Sequence, residues 1–386
     1  MLGNILEREL LNKELKFEDD SKKKPEEKIK VISDSQNIYY QISILNKVVE
    51  DPLGVLPSIS IPKLAQFSVN RSDTILMNPA NYRVAVNRFS LPTSSIPLFL
   101  YPENPSYYTI TLTYDSNPAD PNNVVNQYTK NVTYVPSSIG DPYESSRPVY
   151  YIQELINYVN IALQEAYNDA VADLGALVYT PLDRPYLTYD SETKLITMWC
   201  ETEYLDFNSF GIFMNTTLFK SFFSGLYARE ARTNKLTGFN GWQIIPQNLF
   251  TNVDLNTTLP DSVTPVDLYK VIEEFSSASG FNQLDRVAIT TYELPISSNL
   301  LGTQRDVRAR ILHDFFLEDT IKNNTRYEYR QERLQWTDLK SSDPLTRIDV
   351  QIFLVYLDGT ILQMFLDGSE RLDISLLFVP KGCVYE

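Results

Sequence analysis

Residues 78–92 read NPANYRVAVNRFSLP, a run that opens on a turn signal and closes on a proline. Between these ends the side chains alternate. Tyr82, Val84 and Val86 fall on one face of an extended segment, and Arg83, Ala85 and Asn87 fall on the other. A period of two marks a strand with one face in a core. Asn78-Pro79 starts it, because a residue before proline is held extended. Pro92 ends it, because proline has no N–H with which to continue a ladder. The proline- and tyrosine-rich SSIPLFLYPENPSYY follows, with no recognisable reactive group on either side.

Similar strands flank this one at a distance. NIYYQISILNKVV precedes it, joined by the proline-punctuated link DPLGVLPSISIP. From Asp267 onward come DLYKVIEEF, RVAITTYEL, RARILHDFFL, TRYEYRQER, RIDVQIFLVYL, TILQMFL and DISLLFV. Asp358-Gly359 and Asp367-Gly368 punctuate the last three. The first of these pairs is a two-residue hairpin signal, which supplies the positive φ of a type I′ turn. Two strands before the middle of the chain and six or seven after it give about the eight that a double-sheet jelly roll uses.

The middle differs. YYTITLTYD reads as a strand, and VYYIQELINYVNIALQEAYNDAVADLG carries Ile152, Ile156, Val159, Leu163 and Tyr167 on one helical stripe closed by Gly175. YLTYDSETKLITMWCE reads as two strands about a polar turn, and FMNTTLFKSFFSGL as a short helix capped by Asn215 or Thr216. The expected fold is therefore mainly β. It is a single jelly-roll β-sandwich with an inserted α+β domain and an N-terminal arm. The arm spans residues 1–36, the roll 37–100 and 263–386, and the inserted domain 101–262. Insertion into a surface loop costs little, since closure entropy grows only logarithmically with length.

Composition narrows the function. Tyrosine (25) outnumbers glycine (13) among the 386 residues, as suits pleated, half-buried surfaces. A net charge of −15 argues against a body that neutralises phosphates, so direct nucleic-acid binding is not expected. Cys200 and Cys383 are too few for a disulfide framework or a zinc site, which points to a reducing compartment. No apolar run reaches the roughly 20 residues needed to span a bilayer, and MLGNILERELL places charges where a signal peptide carries its apolar core.

In the arm, Lys and Arg balance the acids, so the acidity belongs to the body. Leu2, Ile5, Leu6, Leu10 and Leu11 recur at helical spacing, with Leu15 beyond. SKKKPEEKIK has too few apolar groups to offset its ordering entropy. A short amphipathic helix on a flexible arm is expected, with those five residues as the candidate interface.

No constellation carries chemistry. His313 is the only histidine, which excludes a multi-histidine metal centre, and its setting in RILHDFFL is that of a half-buried strand residue. The carboxylate pairs Glu273-Glu274 and Glu318-Asp319 match a glycosidase in residue type alone. No glycine-rich phosphate loop or calcium loop occurs. Trp199, Trp242 and Trp336 suit core or subunit contact better than sugar stacking. Catalytic residues, metals and cofactors are all expected to be none.

An acidic jelly roll with an arm, an insertion and no catalytic apparatus has the character of a capsid subunit. NPANYRVAVNRFSLPTSSIPLF, the helix YYIQELINYVNIAL with LITMWCETEY and NTTLFKSFF, and the closing ILQMFLDGSERLDISLLFVPKG resemble the penton, or minor capsid, proteins of Sputnik-type virophages. The resemblance spans the chain and rests on structural motifs, so it carries over no catalytic residue. It implies a homopentamer at each vertex of an icosahedral capsid, beside trimeric major capsid proteins, in a virion assembled in the host cytoplasm. It leaves the inserted domain as the candidate contact to a host-surface glycan or receptor. The alternative is a jelly-roll carbohydrate-binding or glycan-hydrolysing module, which has no need to self-associate.

Overall fold

The strand of the opening stretch is Tyr82–Pro92, entered through a single helical turn at Pro79–Asn81 and ended at the expected proline. The computed structural model describes residues 37–46, 63–117, 123, 125–136, 143–175, 184–204, 209–230, 241–246, 248–250, 268–300, 308–316, 326–330, 334–366 and 370–382. The arm residues Leu2, Ile5, Leu6, Leu10 and Leu11, the pair Glu318-Asp319, the Asp367-Gly368 turn and Cys383 lie outside these.

Among the described residues, eight strands of five residues or more build the roll. They are β1 (Ile38–Leu45), β2 (Gln66–Asn70), β3 (Tyr82–Pro92), β4 (Leu284–Thr291), β5 (Arg308–Phe315), β6 (Arg326–Arg330), β7 (Arg347–Tyr356) and β8 (Arg371–Pro380). The first sheet runs β1-β8-β3-β6 and the second β2-β7-β4-β5, every pair antiparallel. Consecutive strands cross repeatedly from sheet to sheet, which is jelly-roll connectivity. Between the sheets lies one core: Ile42, Val84, Phe89, Ile374 and Phe378 from the first meet Val287, Ile289, Phe315, Ile348 and Leu354 from the second. Each such side chain contributes roughly 1.5–3 kcal/mol when fully buried.

The alternation of β3 is interrupted once. Ser375 of β8 pairs with Arg88, but its neighbour Leu376 pairs with Val86, so Asn87 is an extra residue on β3. The bulge shifts the period of two by one. Val84 and Val86 face the core before it, and Phe89 and Leu91 face the core after it. Arg88, which would otherwise follow Val86 inward, is exposed.

The chain leaves the roll after β3 and returns at β4. In between, a second core runs from Leu98 to Phe281. Helix α1 (Ile152–Leu174) buries Leu155, Ile156, Val159, Ala162, Leu163, Ala166 and Ala170 on one stripe. The Glu154 carboxylate caps its start by accepting the N–H groups of Tyr150 and Tyr151, at 2.7 and 3.1 Å. Gly175, at φ 73°, closes its end. The helix packs on Thr109–Tyr114, Asn126–Asn131 and Tyr186–Tyr189. Helix α2 (Thr216–Phe222) is capped as expected, with the Asn215 side chain accepting the Leu218 N–H at 3.0 Å. Together, residues 38–386 form one compact unit.

Two local expectations differ from the structure. Strand Leu268–Ile272, counted above with the roll, pairs instead with Ile196–Glu201 and puts Val271 in the second core. Its alternation is that of any half-buried strand, so periodicity alone does not say which sheet takes it. The Asp358-Gly359 turn spans three residues rather than two: Tyr356 bonds Thr360 at 2.9 Å across Leu357, Asp358 and Gly359. Gly359 has φ 85°, whereas Asp358 is not among the residues of positive φ that a type I′ turn requires at both central positions.

Candidate assembly surface

The groups that sequence reading offers for chemistry are tied into the fold. His313, 3% exposed, points between the sheets, with its ring centroid 5.2 Å from Tyr329 and 6.1 Å from Phe315. Its Nδ1 lies 3.1 Å from Gln335 Oε1, and burial holds its pKa below the usual histidine value. The residue is thus fully buried, not half-buried as expected, and belongs to an aromatic cluster.

Glu273 and Glu274 do not act as a pair. Glu273 is buried and accepts the Ile196 N–H at 2.9 Å and the Ser277 hydroxyl at 2.6 Å, whereas Glu274 is exposed. Desolvation raises the Glu273 pKa, and the two hydrogen bonds oppose that shift. A second buried carboxylate, Asp349, accepts the Thr291 hydroxyl at 2.5 Å and the Glu293 N–H at 2.7 Å, and so pins the turn after β4. Cys200 is buried, and desolvation raises its thiol pKa, so it lacks thiolate character.

The tryptophans have neighbours on their faces. Trp242 stacks on Phe219 at 4.7 Å, Arg83 lies 4.5 Å over Trp336, and Trp199 stacks on Tyr186 while donating to Thr188 at 2.9 Å. Packing within the chain accounts for all three. Among the described residues no group of His, Cys, Asp and Glu forms a metal site, and no helix is long and apolar enough to cross a membrane.

Surface remains. The outer face of the second sheet carries an apolar patch, with Ala288 and Val355 buried among Ala309, Ile311, Phe353 and Ile361, beside the Arg286–Asp314 ion pair at 3.0 Å. Phe316, after β5, is 70% exposed and Leu357, after β7, 68%. The outer face of the first sheet is polar, with Gln41, Ser43, Arg88, Arg326, Arg371 and Asp373 in one groove. Sequence reading misses both faces, because each is assembled from strands far apart in the chain. The one available signal, the change of phase between Val86 and Phe89, points only to β3.

A family model described as Sputnik minor capsid protein V18/19 matches residues 38–379. The chain belongs to this family. Uncharacterized protein V18 of Sputnik virophage is 28% identical over a 165-residue alignment that covers 38% of this chain and 92% of that protein. A chain of the Sputnik virophage, solved by cryo-EM at 3.5 Å resolution, superposes with a TM-score of 0.65 at 20% identity, covering 89% of this chain and 98% of that one. The selenomethionine-labelled mavirus penton protein, solved by crystallography, superposes with a TM-score of 0.60 at 14% identity, covering 89% and 99%. At these identities the structural matches show a shared fold. Membership of a minor capsid family makes the chain a structural protein of the virion capsid.

Proposed function

We propose that five copies of this chain close into a ring at each fivefold vertex of the capsid, beside trimeric major capsid proteins. A jelly roll in a minor capsid family, with an apolar patch on the outer face of one sheet and a polar groove on that of the other, supports this reading. Two unlike faces suit a heterologous contact, which closes into a ring when its rotation allows. Native mass spectrometry and electron microscopy of the purified protein test it. Five-copy rings are the expected result, and a strict monomer at every concentration and salt would overturn it.

The insertion is the proposed host-facing domain. Its core supports bounds from Leu98 to Phe281, wider than the 101–262 expected from pattern. A block carried in one loop varies without disturbing the sheets, which suits contact with a host glycan or receptor. The arm is proposed to dock on a neighbouring capsid subunit through Leu2, Ile5, Leu6, Leu10 and Leu11. Truncating residues 1–36 should spare folding and weaken particles, whereas unchanged particle stability would remove the arm from assembly. Assembly in the host cytoplasm accords with the sparse cysteine usage.

A further inference from the structure

The groove on the outer face of the first sheet has a volume of about 420 Å³ and takes residues from all four strands. The bulge at Asn87 turns Arg88 and Ser90 into it, while β8 supplies Arg371 and Asp373, β6 supplies Arg326 and Glu328, and β1 supplies Ser43. Three guanidiniums thus face two carboxylates, which leaves one positive charge in excess on a chain whose net charge is −15.

The guanidiniums are held in place. Arg371 donates from Nε to Asp373 Oδ1 at 2.7 Å and from Nη2 to Ser43 Oγ at 3.1 Å. Arg326 donates from Nε and Nη2 to Ser90 Oγ at 3.1 and 2.9 Å, and its Nη2 lies 3.9 Å from Asp373 Oδ2. Arg88 Nη2 is 3.6 Å from Glu328 Oε2. Among the described residues these contacts leave Nη1 of Arg326 and Arg371, and Nε and Nη1 of Arg88, without an acceptor.

Guanidinium forks match the oxygens of phosphate and sulfate, and forks already fixed by neighbours lose less entropy on binding. A tetrahedral anion accepts from several directions at once, as donors converging from three strands require. A nucleic-acid strand is disfavoured, because the excess is a single charge and the acidic body repels a polymer of phosphates.

We propose that this groove binds a small tetrahedral oxyanion, the phosphate or sulfate group of a free ion or a monoester. Isothermal titration of the full chain with inorganic phosphate, inorganic sulfate, glucose 6-phosphate and glucose 6-sulfate, at ionic strength held constant with chloride, tests it. Saturable binding is expected, and the tightest of the four identifies the source. Arg88→Gln and Arg371→Gln should each weaken binding about tenfold or more, the usual scale for losing a charge-assisted hydrogen bond. Glu328→Gln removes a competing carboxylate and should tighten it, a change that a purely structural role would not produce. Arg347→Gln, on the second sheet near Glu293, should leave binding unchanged. Absence of saturable heat with all four ligands would overturn the proposal. So would equal weakening by Arg347→Gln, or weaker binding with Glu328→Gln in a variant that melts like the parent.

Discussion

The backbone N–H of Gln283 donates to the carbonyl oxygen of Leu98 at 3.0 Å, so the chain departs from the roll and returns to it at hydrogen-bonded residues. Two further ties join the insertion to the roll: the Tyr143 hydroxyl donates to Gln363 O at 2.6 Å and accepts from Phe365 N at 2.8 Å. Among the described residues, the roll core contains none between Leu100 and Leu284. Replacing residues 101–282 with a short Gly-Ser linker should therefore leave a soluble roll with a cooperative melt, since closing so short a gap costs little. Circular dichroism and a thermal melt check this. An aggregated product would mean that the two cores fold as one.

Gly359 sits at φ 85° as the last residue of the three-residue turn between β7 and Ile361–Gln363. A β-branched side chain there is strained by about 1–2 kcal/mol. Gly359→Val should lower the melting temperature by a few degrees, with Gly359→Asn intermediate because asparagine tolerates the left-handed region. Asp358→Ala should also destabilise, by about 1 kcal/mol, because its carboxylate accepts the Thr360 N–H at 2.8 Å. Differential scanning calorimetry of the three variants separates these effects.

His313 links stability to pH. Burial holds its folded pKa below the ordinary 6.5, with Gln335 and the neighbouring Asp314 acting weakly the other way. The folded state thus binds fewer protons than the unfolded state as pH falls through 6.5. The contribution of the neutral imidazole is fully present above that pH and is lost progressively below it, down to the folded pKa. Urea denaturation between pH 5 and 8 should show wild type losing stability relative to His313→Gln as pH drops. A constant difference between the two across that range would mean that the residue does not titrate with folding.

Much of the fold is legible in the sequence because alternation and capping are local. Tyr82 to Pro92, α1 with its Gly175 end and the Asn215 cap all follow from residues within a few positions of one another. What escapes is partner choice and phase. Leu268–Ile272 reads like a strand of the roll, yet it pairs with Ile196–Glu201, a choice made by packing that no local pattern encodes. The oxyanion groove is less legible still. Arg88, Arg326 and Arg371 stand far apart in sequence, and nothing marks them as neighbours until β8 lies between β1 and β3.

The bulge residue itself supplies the sharpest test of how β3 serves both faces. If Asn87 is deleted, Arg88 follows Val86 directly, so Arg88 and Ser90 still face the groove, Phe89 and Leu91 stay in the core, and the ladder to β8 becomes regular. The bulge adds one backbone unit to β3, and the pairing of Val86 with Leu376 and of Arg88 with Ser375 fixes which side chains face which way. Asn87→Ala should therefore melt within a few degrees of wild type, and the deletion should keep a cooperative transition by circular dichroism. A deletion variant with no cooperative transition would show that the facing of Arg88 and Phe89 depends on the bulge itself and not on the pairing of β3 with β8.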